Sequence, residues 1–203
     1  GGHPTRILIP IGGAGAQAHF VSDLIRRLAP LVRAGRARLL LNSGDHQALR
    51  PRFTSLFQTL GLETLEIKTW SELLNFRDAT IGGGALPAAT LFAFERYDHG
   101  FAATDHLIRC ADLLVTKPSE LAFAPAPKLH IRRVGGHEAA SALRSAELGD
   151  GTPEQRTAVA AASSCSQFID TPRLLADMNV RILGLGQAGV YSGSRRAVEI
   201  ALA

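Results

Sequence analysis

The stretch Arg6-Ile-Leu-Ile-Pro-Ile11, followed at once by Gly12-Gly13-Ala14-Gly15-Ala16, indicates the fold of this chain. Its first part is a short apolar run bounded by turn residues, which is typical of a strand buried in a parallel sheet. Beyond the glycines, apolar residues recur at helical spacing from Gln17 to Val32, and Gly35 ends that pattern. The stretch therefore predicts a strand, a tight turn and a helix in direct succession.

The same alternation returns further along the chain. A second helix is expected over Gln47–Leu60, with Gly61 as its C-cap. Short apolar runs predict four more strands: Arg38–Asn42, Thr64–Lys68, Asp112–Thr116 and Leu129–Arg133. Strands that alternate with helices at this spacing form βαβ units and a parallel sheet. We therefore expect an α/β fold, a three-layer Rossmann-like domain with a mainly parallel sheet.

The middle of the chain is less regular. Residues 79–87 contain three consecutive glycines and predict a loop, whereas residues 88–110 predict a helix that breaks near Asp98-His99-Gly100. A short helix is expected over Glu120–Ala124. The remaining helices are expected over Ala139–Leu148, Pro153–Ile169, Pro172–Leu183 and Ser194–Leu202.

Length and composition narrow the class of protein. The 203 residues suit one domain, 1–203, and 46% hydrophobic residues exclude a disordered tail. Apolar runs are interrupted well before the ~18 residues of a membrane span, and no signal peptide opens the chain, so we expect a cytoplasmic protein. Two cysteines exclude a disulfide scaffold. No set of His, Cys, Asp or Glu has metal-ligand spacing, so no metal is predicted.

The charge balance bears on possible partners. Lys and Arg number 22 against 18 Asp and Glu, a mild excess that fits a phosphate-bearing ligand or a peripheral contact with a negatively charged membrane surface. Basic residues do not cluster with aromatic ones, and aromatic residues make up only 6%, so nucleic acid is not an expected partner. The isolated Trp70 and Tyr97 are expected to be packing residues.

The glycine turn is the first candidate site. Residues 13–18 match G-x-G-x-x-G/A between a strand and a helix, where small residues let a phosphate approach the backbone and the free N–H groups of the helix. A dinucleotide site also requires an acidic residue at the end of the second strand, but that strand ends in Asn42. The alternative is a tight turn whose glycines serve only the backbone.

Two further loops follow predicted strands at the same edge of the sheet, where ligands bind in such folds. In the first, Ser119 is placed to cap the next helix, and Glu120 is placed either beside that helix end or to accept hydrogen bonds from ribose hydroxyls. In the second, Gly135-Gly136-His137-Glu138 opens a helix. His137 is a candidate acid, base or phosphate donor, unless it is simply a solvated loop histidine.

These loops, taken in order, resemble a known family. The stretch Ala111-Asp-Leu-Leu-Val-Thr-Lys-Pro-Ser-Glu-Leu-Ala-Phe-Ala-Pro-Ala-Pro-Lys-Leu129 resembles the C-terminal domain of GT-B glycosyltransferases. The peptidoglycan N-acetylglucosaminyltransferase and the plant galactolipid synthases are the most similar members. The loop Gly136-His137-Glu138-Ala-Ala-Ser-Ala142 and the first glycine turn match further motifs of that domain. Lys117-Pro118 stands where the family usually has a glycine-rich segment.

The resemblance implies the donor-binding domain of an enzyme that transfers a sugar from a UDP-sugar to an acceptor. Glu120 would hold the ribose, while residues 12–16 and the loop at His137-Glu138 would surround the diphosphate and the sugar. No cofactor beyond the donor substrate is implied. Because such enzymes have two Rossmann-like domains, an N-terminal acceptor domain would be a further part. The alternatives are a dinucleotide-dependent oxidoreductase domain and a noncatalytic nucleotide-binding module.

Overall fold

The computed structural model describes residues 2–12 and 15–202, so Gly13 and Ala14 of the predicted turn lie outside the described residues. Within these ranges the chain forms a six-stranded sheet in the order β3-β4-β2-β1-β5-β6. The strands are β1 (Thr5–Pro10), β2 (Ala37–Asn42), β3 (Thr64–Ile67), β4 (Ala89–Phe92), β5 (Leu113–Thr116) and β6 (Lys128–His130).

All the neighbouring strands are parallel. The register of the central strand β1 sets Ile7 opposite Leu39 of β2 on one side and Leu113 of β5 on the other. After β4 the chain crosses over to β5, the other neighbour of β1. The connection that leaves β1 runs toward β2 on one side, and the connection that leaves β5 runs toward β6 on the other. In an open α/β sheet, such a reversal creates a crevice beyond the carboxyl ends of the strands.

Eight α-helices connect and flank the strands in the described part of the chain. They are α1 (Ala18–Arg33), α2 (Leu49–Thr59), α3 (Trp70–Ile81), α4 (Tyr97–Ile108), α5 (Ala139–Leu148), α6 (Ala158–Asp170), α7 (Pro172–Gln187) and α8 (Gly193–Ala201). Two single 3-10 turns cover Glu120–Phe123 and Gly136–Glu138.

Helices cover both faces of the sheet and make three layers. The side chains of Ile7 and Ile9 join a core shared with α1, α2 and α6, whereas Leu8 joins a second core shared with α3 and α4. Because β1 is buried on both faces, its sequence is a continuous apolar run rather than an alternating one. The structure confirms the three-layer Rossmann-like fold and makes the sheet wholly parallel.

The helix predicted over residues 88–110 is wrong in its first part. Ala89–Phe92 form β4, which is wholly buried and lies between β2 and β3 in the sheet. The alanines at 88 and 89 and at 93 favour a helix and hide the short strand between them. The predicted loop over residues 79–87 also begins too early, because Ile81 still belongs to α3, a helix absent from the predicted set.

Several boundaries differ near the end of the sheet. The strand predicted over Leu129–Arg133 is β6, which ends at His130. The helix predicted from Pro153 begins at Ala158, because the backbone before it forms isolated parallel bridges, Lys128 to Gly151 and Ile131 to Gln155. The helix over Ala139–Leu148 has the predicted bounds.

Candidate functional site

A cavity of about 360 Å3 lies at the carboxyl ends of the strands, in the crevice where the chain reverses. Its walls come from the loops after β1, β2 and β5 and from the first turns of α4. The aromatic and charged side chains that it exposes include Asp45, Tyr97, Phe101, Asp105, Lys117 and Glu120. The cavity therefore gathers three loops that are far apart in sequence.

Three of the predicted site residues line this cavity: Gly12, Ser119 and Glu120. Glu120 is exposed, and no hydrogen bond or ion pair engages its carboxylate among the described residues. The expectation that Ser119 caps the following helix is wrong, since its side chain makes no cap hydrogen bond and the turn that follows is a 3-10 turn. The carboxylate of Glu120 is thus available to a ligand.

The turn after β1 leads into α1, and of its described residues Ile11 and Gly12 line the cavity whereas Gly15 and Ala16 do not. Gly15 has a φ of 64°, a backbone conformation that glycine adopts at little cost, and Ala16 is exposed. Gln17 precedes α1 but its side chain makes no cap hydrogen bond, and no acidic residue lies in the first turn. The first N–H groups of α1 are therefore not occupied by a capping side chain. Contact with a phosphate by Gly12, Gly13, Ala14, Gly15 and Ala16 stays a prediction.

The loop Gly135–Glu138 does not line the cavity in the described part of the chain. His137 is exposed, and its ring lies over Gly135, where an added Cβ would be 2.5 Å from the imidazole Cε1. Gly136 is also exposed, whereas Glu138 is buried. The structure therefore separates the two polar side chains of this loop, one toward solvent and one into the protein.

Glu138 is engaged entirely by groups of the protein. Its Oε1 accepts from Nζ of Lys117 at 2.8 Å, and its Oε2 accepts from the backbone N–H groups of Val134 at 2.8 Å and Gly135 at 3.2 Å. Burial opposes ionisation, but these donors outweigh it and lower the pKa of Glu138 to about 2. The carboxylate is therefore ionised at all ordinary pH values.

Tyr97 and Phe101 are among the cavity-lining residues that the sequence reasoning missed, as are Asp45, Asp105 and Lys117. The expectation that Tyr97 is a packing residue is wrong, because it is 70% exposed and Phe101 is 63% exposed. Their rings stack at a centroid separation of 6.2 Å with an interplanar angle of 23°. Their spacing of four residues on a helix is a signal for contact, but it does not say whether the pair faces the core or solvent.

The wall that carries these rings is set by a close backbone contact. A Cβ placed on Gly100 would lie 2.8 Å from Cα of Gly44, so only glycine fits there. Asn42 completes the contact, because its Nδ2 donates to the carbonyl of Gly100 and to Oγ1 of Thr104, while its Oδ1 accepts from the N–H of Gly44. The side chain of Asn42 is thus committed to the protein and does not replace the acidic residue of a dinucleotide site.

A second polar cluster lies away from this cavity, under the edge of the sheet. Lys128 and Asp150 form a fully buried ion pair, and Asp150 also accepts from the hydroxyls of Ser145 and Tyr191. His130 lies in the same strand, and neither of its ring nitrogens has a partner among the described residues. Within residues 2–12 and 15–202, no group of three or more His, Cys, Asp or Glu side chains is placed to hold a metal ion.

Comparison with protein families gives one match that spans the chain. A family model described as a domain of unknown function, DUF6938, matches residues 1–202. The chain belongs to this family. A search of curated proteins found no match to this DUF6938 chain.

Solved structures share the fold of the DUF6938 chain. The glycotransferase of kitacinnamycin is similar with a TM-score of 0.55 and 15% identity, over 98% of this chain and 43% of its own. A protein from Listeria monocytogenes described as a UDP-N-acetylglucosamine 2-epimerase has a TM-score of 0.54 and 11% identity, over 96% of this chain and 46% of its own. These likenesses confirm a GT-B-like, Rossmann-like fold, and the chain spans less than half of each structure.

No helix among the described residues is both long enough and apolar enough to cross a lipid bilayer.

Proposed function

We propose that this DUF6938 chain is the nucleotide-binding part of a glycosyltransferase, and that it holds a UDP-sugar in the crevice at the carboxyl ends of β1 and β5. The observation that carries the proposal is the composition of the cavity. A stacked aromatic pair on one wall faces loops that bear a carboxylate without a partner among the described residues and a lysine. These groups match the ring, the hydroxyls and the phosphates of a nucleotide.

The aromatic wall is suited to the base. Tyr97 and Phe101 leave most of their surface free at the mouth of the cavity. Stacking on such rings stabilises any bound nucleobase, because it does not depend on the base's pattern of hydrogen-bond donors and acceptors. The uracil of the donor is therefore assigned to this wall, which also supports a nucleotide over a ligand without an aromatic ring.

The carboxylates are suited to hydroxyl groups. Glu120 lines the cavity from the loop after β5, and Asp45 and Asp105 line it from the loop after β2 and from α4. An ionised carboxylate only accepts hydrogen bonds, so it binds ribose or sugar hydroxyls well and repels a bare phosphate. Glu120 is assigned to the ribose, as the resemblance to GT-B enzymes also implies.

The diphosphate is assigned to the turn after β1. Gly12 is exposed at the cavity, and α1, which begins six residues later, has no capping side chain at its first N–H groups. Helix N-termini of this kind bind phosphate through free N–H groups and the helix dipole. The transferred sugar would then lie toward His137, which is exposed at the start of the 3-10 turn before α5.

In this proposal, sugar transfer requires a second domain besides this chain. Sugar transfer needs an acceptor site, and the structures that share this fold are more than twice as long as the part matched. An acceptor-binding domain is therefore included as a partner. During transfer, the site would stabilise the leaving diphosphate by hydrogen bonds and positive charge that already point at it.

The test is a binding panel with UDP, UDP-N-acetylglucosamine, NAD and NADP, followed by thermal unfolding and calorimetry. A ligand at one hundred times its dissociation constant adds about 2.7 kcal/mol to the free energy of unfolding, which gives a clear rise in melting temperature. Stabilisation by UDP and the UDP-sugar is expected. Stabilisation by NAD or NADP without UDP would contradict the proposal and favour the dinucleotide-dependent oxidoreductase domain. No response to any of the four ligands would favour the noncatalytic module.

A further inference from the structure

Lys117 spans the floor of the crevice between two loops. Its alkyl chain lies against the loop after β1, since a Cβ on Gly12 would be 3.4 Å from Cε of Lys117. Its Nζ donates to Oε1 of Glu138 at 2.8 Å, in the loop after β6. One side chain thus connects the loops that follow β1, β5 and β6.

The partner of Lys117 is fixed in place before any ligand arrives. The side chain of Glu138 is only 5% exposed, whereas that of Lys117 is 24% exposed. Two backbone N–H groups hold the other oxygen of Glu138, so the carboxylate has little freedom to move. The ammonium group has three donors, and this contact uses one of them.

Lys117 also has a singular place in the charge pattern of the cavity. Among the described lining residues it is the one Lys or Arg, and the other formally charged side chains are the carboxylates Asp45, Asp105 and Glu120. For an anionic group that enters this cavity, Lys117 is therefore the one positively charged side chain among the described lining residues. A lysine held in one orientation loses less freedom on binding than a free surface lysine.

We propose that Lys117 contacts the phosphate groups of the ligand and that Glu138 is a positioning residue, which orients Lys117 without touching the ligand. This inference rests on the proposed nucleotide-binding function. Lys117 is the side chain that contacts the diphosphate, and Glu138 holds the ammonium group of Lys117 in place. The role also accounts for a buried carboxylate directly after Gly136 and His137, which are both exposed.

The experiment compares Lys117→Met, Lys117→Arg, Glu138→Gln and the double variant Lys117→Met/Glu138→Gln. The dissociation constant for UDP is measured by calorimetry at several salt concentrations, and stability is measured by urea unfolding. Loss of a hydrogen bond between charged groups is expected to raise the dissociation constant of Lys117→Met at least tenfold. Its salt dependence should become shallower, because a charge that contacts the ligand is gone. Lys117→Arg should keep more affinity than Lys117→Met, because the positive charge remains at this position.

The double variant separates the ligand role from a structural one. Lys117→Met alone leaves the buried Glu138 without its counter-charge and lowers stability, whereas Glu138→Gln in addition removes that charge and restores stability. Affinity for UDP is expected to stay at least tenfold weaker in the double variant. Glu138→Gln alone should weaken UDP binding several-fold while the salt dependence stays that of the parent, because the ammonium is still present but held less firmly.

Each outcome decides the inference. If the parent binds UDP and the double variant binds it equally well, Lys117 only ties loops together and the inference is overturned while the proposed function stands. If Glu138→Gln binds UDP like the parent, Glu138 does not position Lys117. If the parent binds none of the nucleotides, the proposed function and this inference fail together.

Discussion

Nζ of Lys128 lies 2.8 Å from Oδ2 of Asp150, and both side chains are sealed from solvent. The ammonium also donates to the carbonyls of Ala124 and Ala126, and burial lowers the pKa of Lys128. The pair therefore joins the start of β6 to the turn after α5. Its two charges are tolerated because each has hydrogen-bond partners.

Lys128→Met is expected to lower the free energy of unfolding by about 3–5 kcal/mol, because the carboxylate of Asp150 stays buried without its counter-charge. Urea unfolding at neutral pH measures the change. The double variant Lys128→Met/Asp150→Asn removes both charges and should regain a large part of the loss. Equal losses in the single and double variants would show that the pair contributes by packing and not by charge.

His130 predicts a pH dependence of stability. Burial and the nearby Lys128 lower the pKa of His130 to about 4, so the folded chain keeps this ring neutral where the unfolded chain, with an ordinary pKa near 6.5, already binds a proton. The free energy of unfolding is therefore highest above pH 6.5, where the ring is neutral in both states. It falls by about 3 kcal/mol in total as the pH drops toward 4. Urea unfolding between pH 7 and pH 4.5 checks this. His130→Leu should flatten the upper part of that slope, whereas the exposed control His137→Asn should not.

Glu120→Ala is expected to weaken UDP binding at least tenfold, since hydrogen bonds to a charged group contribute about 1.5–3 kcal/mol. The melting temperature without ligand should stay nearly unchanged, because Glu120 is exposed and its carboxylate has no partner among the described residues. Glu147→Ala on α5 is a matched control, an exposed glutamate that does not line the crevice. Unchanged affinity by calorimetry would remove Glu120 from the site, and a fall in melting temperature would assign it a structural role.

Tyr97→Ala and Phe101→Ala test the aromatic wall. Each is expected to weaken UDP binding about tenfold, within the 1–3 kcal/mol of a base stacked on an aromatic ring. The affinity for inorganic pyrophosphate, which has no ring, should not change. Phe123→Ala is the control, because Phe123 is 59% exposed but lies outside this cavity. Equal weakening of UDP and pyrophosphate would mean that the substitutions disturb α4 and do not remove a stacking surface.

Thr69→Ala is expected to lower the free energy of unfolding by about 1 kcal/mol through the loss of a helix cap. The Thr69 side chain accepts from the N–H of Glu72, and the Glu72 carboxylate accepts in return from the N–H of Thr69 at 2.9 Å. The backbone N–H groups of Lys68 and Thr69 both donate to the Glu72 carboxylate and lower the pKa of Glu72. Thr157→Ala, which removes a one-sided cap from α6, serves as the comparison in the same urea experiment. A larger loss at Thr157 would show that the reciprocal bond adds nothing.

The sequence predicts the strands that carry long apolar runs and the helices that have clear ends. It misses α3 although a signal is present, because Thr69 and Glu72 have the spacing of a reciprocal helix cap. It also misses β4, since Ala89–Phe92 are four residues whose place next to the edge strand of the sheet depends on pairing with β2 and β3. Such pairing is a property of the whole sheet and leaves no local pattern.

For the candidate site too, the sequence predicts some of the residues and misses others. The rule that ligands bind beyond the strand ends leads directly to Gly12 and Glu120, which line the cavity. It does not reveal that Glu138 turns inward to Lys117, because that contact joins residues 21 positions apart through two loops. Nor does it reveal the exposure of Tyr97, which depends on how α4 is seated. Contacts between loops thus limit what a single sequence shows.

The seat of α4 also means that the width and the chemistry of the crevice are controlled by different residues. Gly100 fixes how closely the helix approaches the loop after β2, since its Cα allows a backbone contact that any side chain would block. Tyr97 and Phe101 project from the same helix but take no part in that contact. The side chains at positions 97 and 101 can therefore be replaced to suit another ring system without moving α4, provided that position 100 remains glycine.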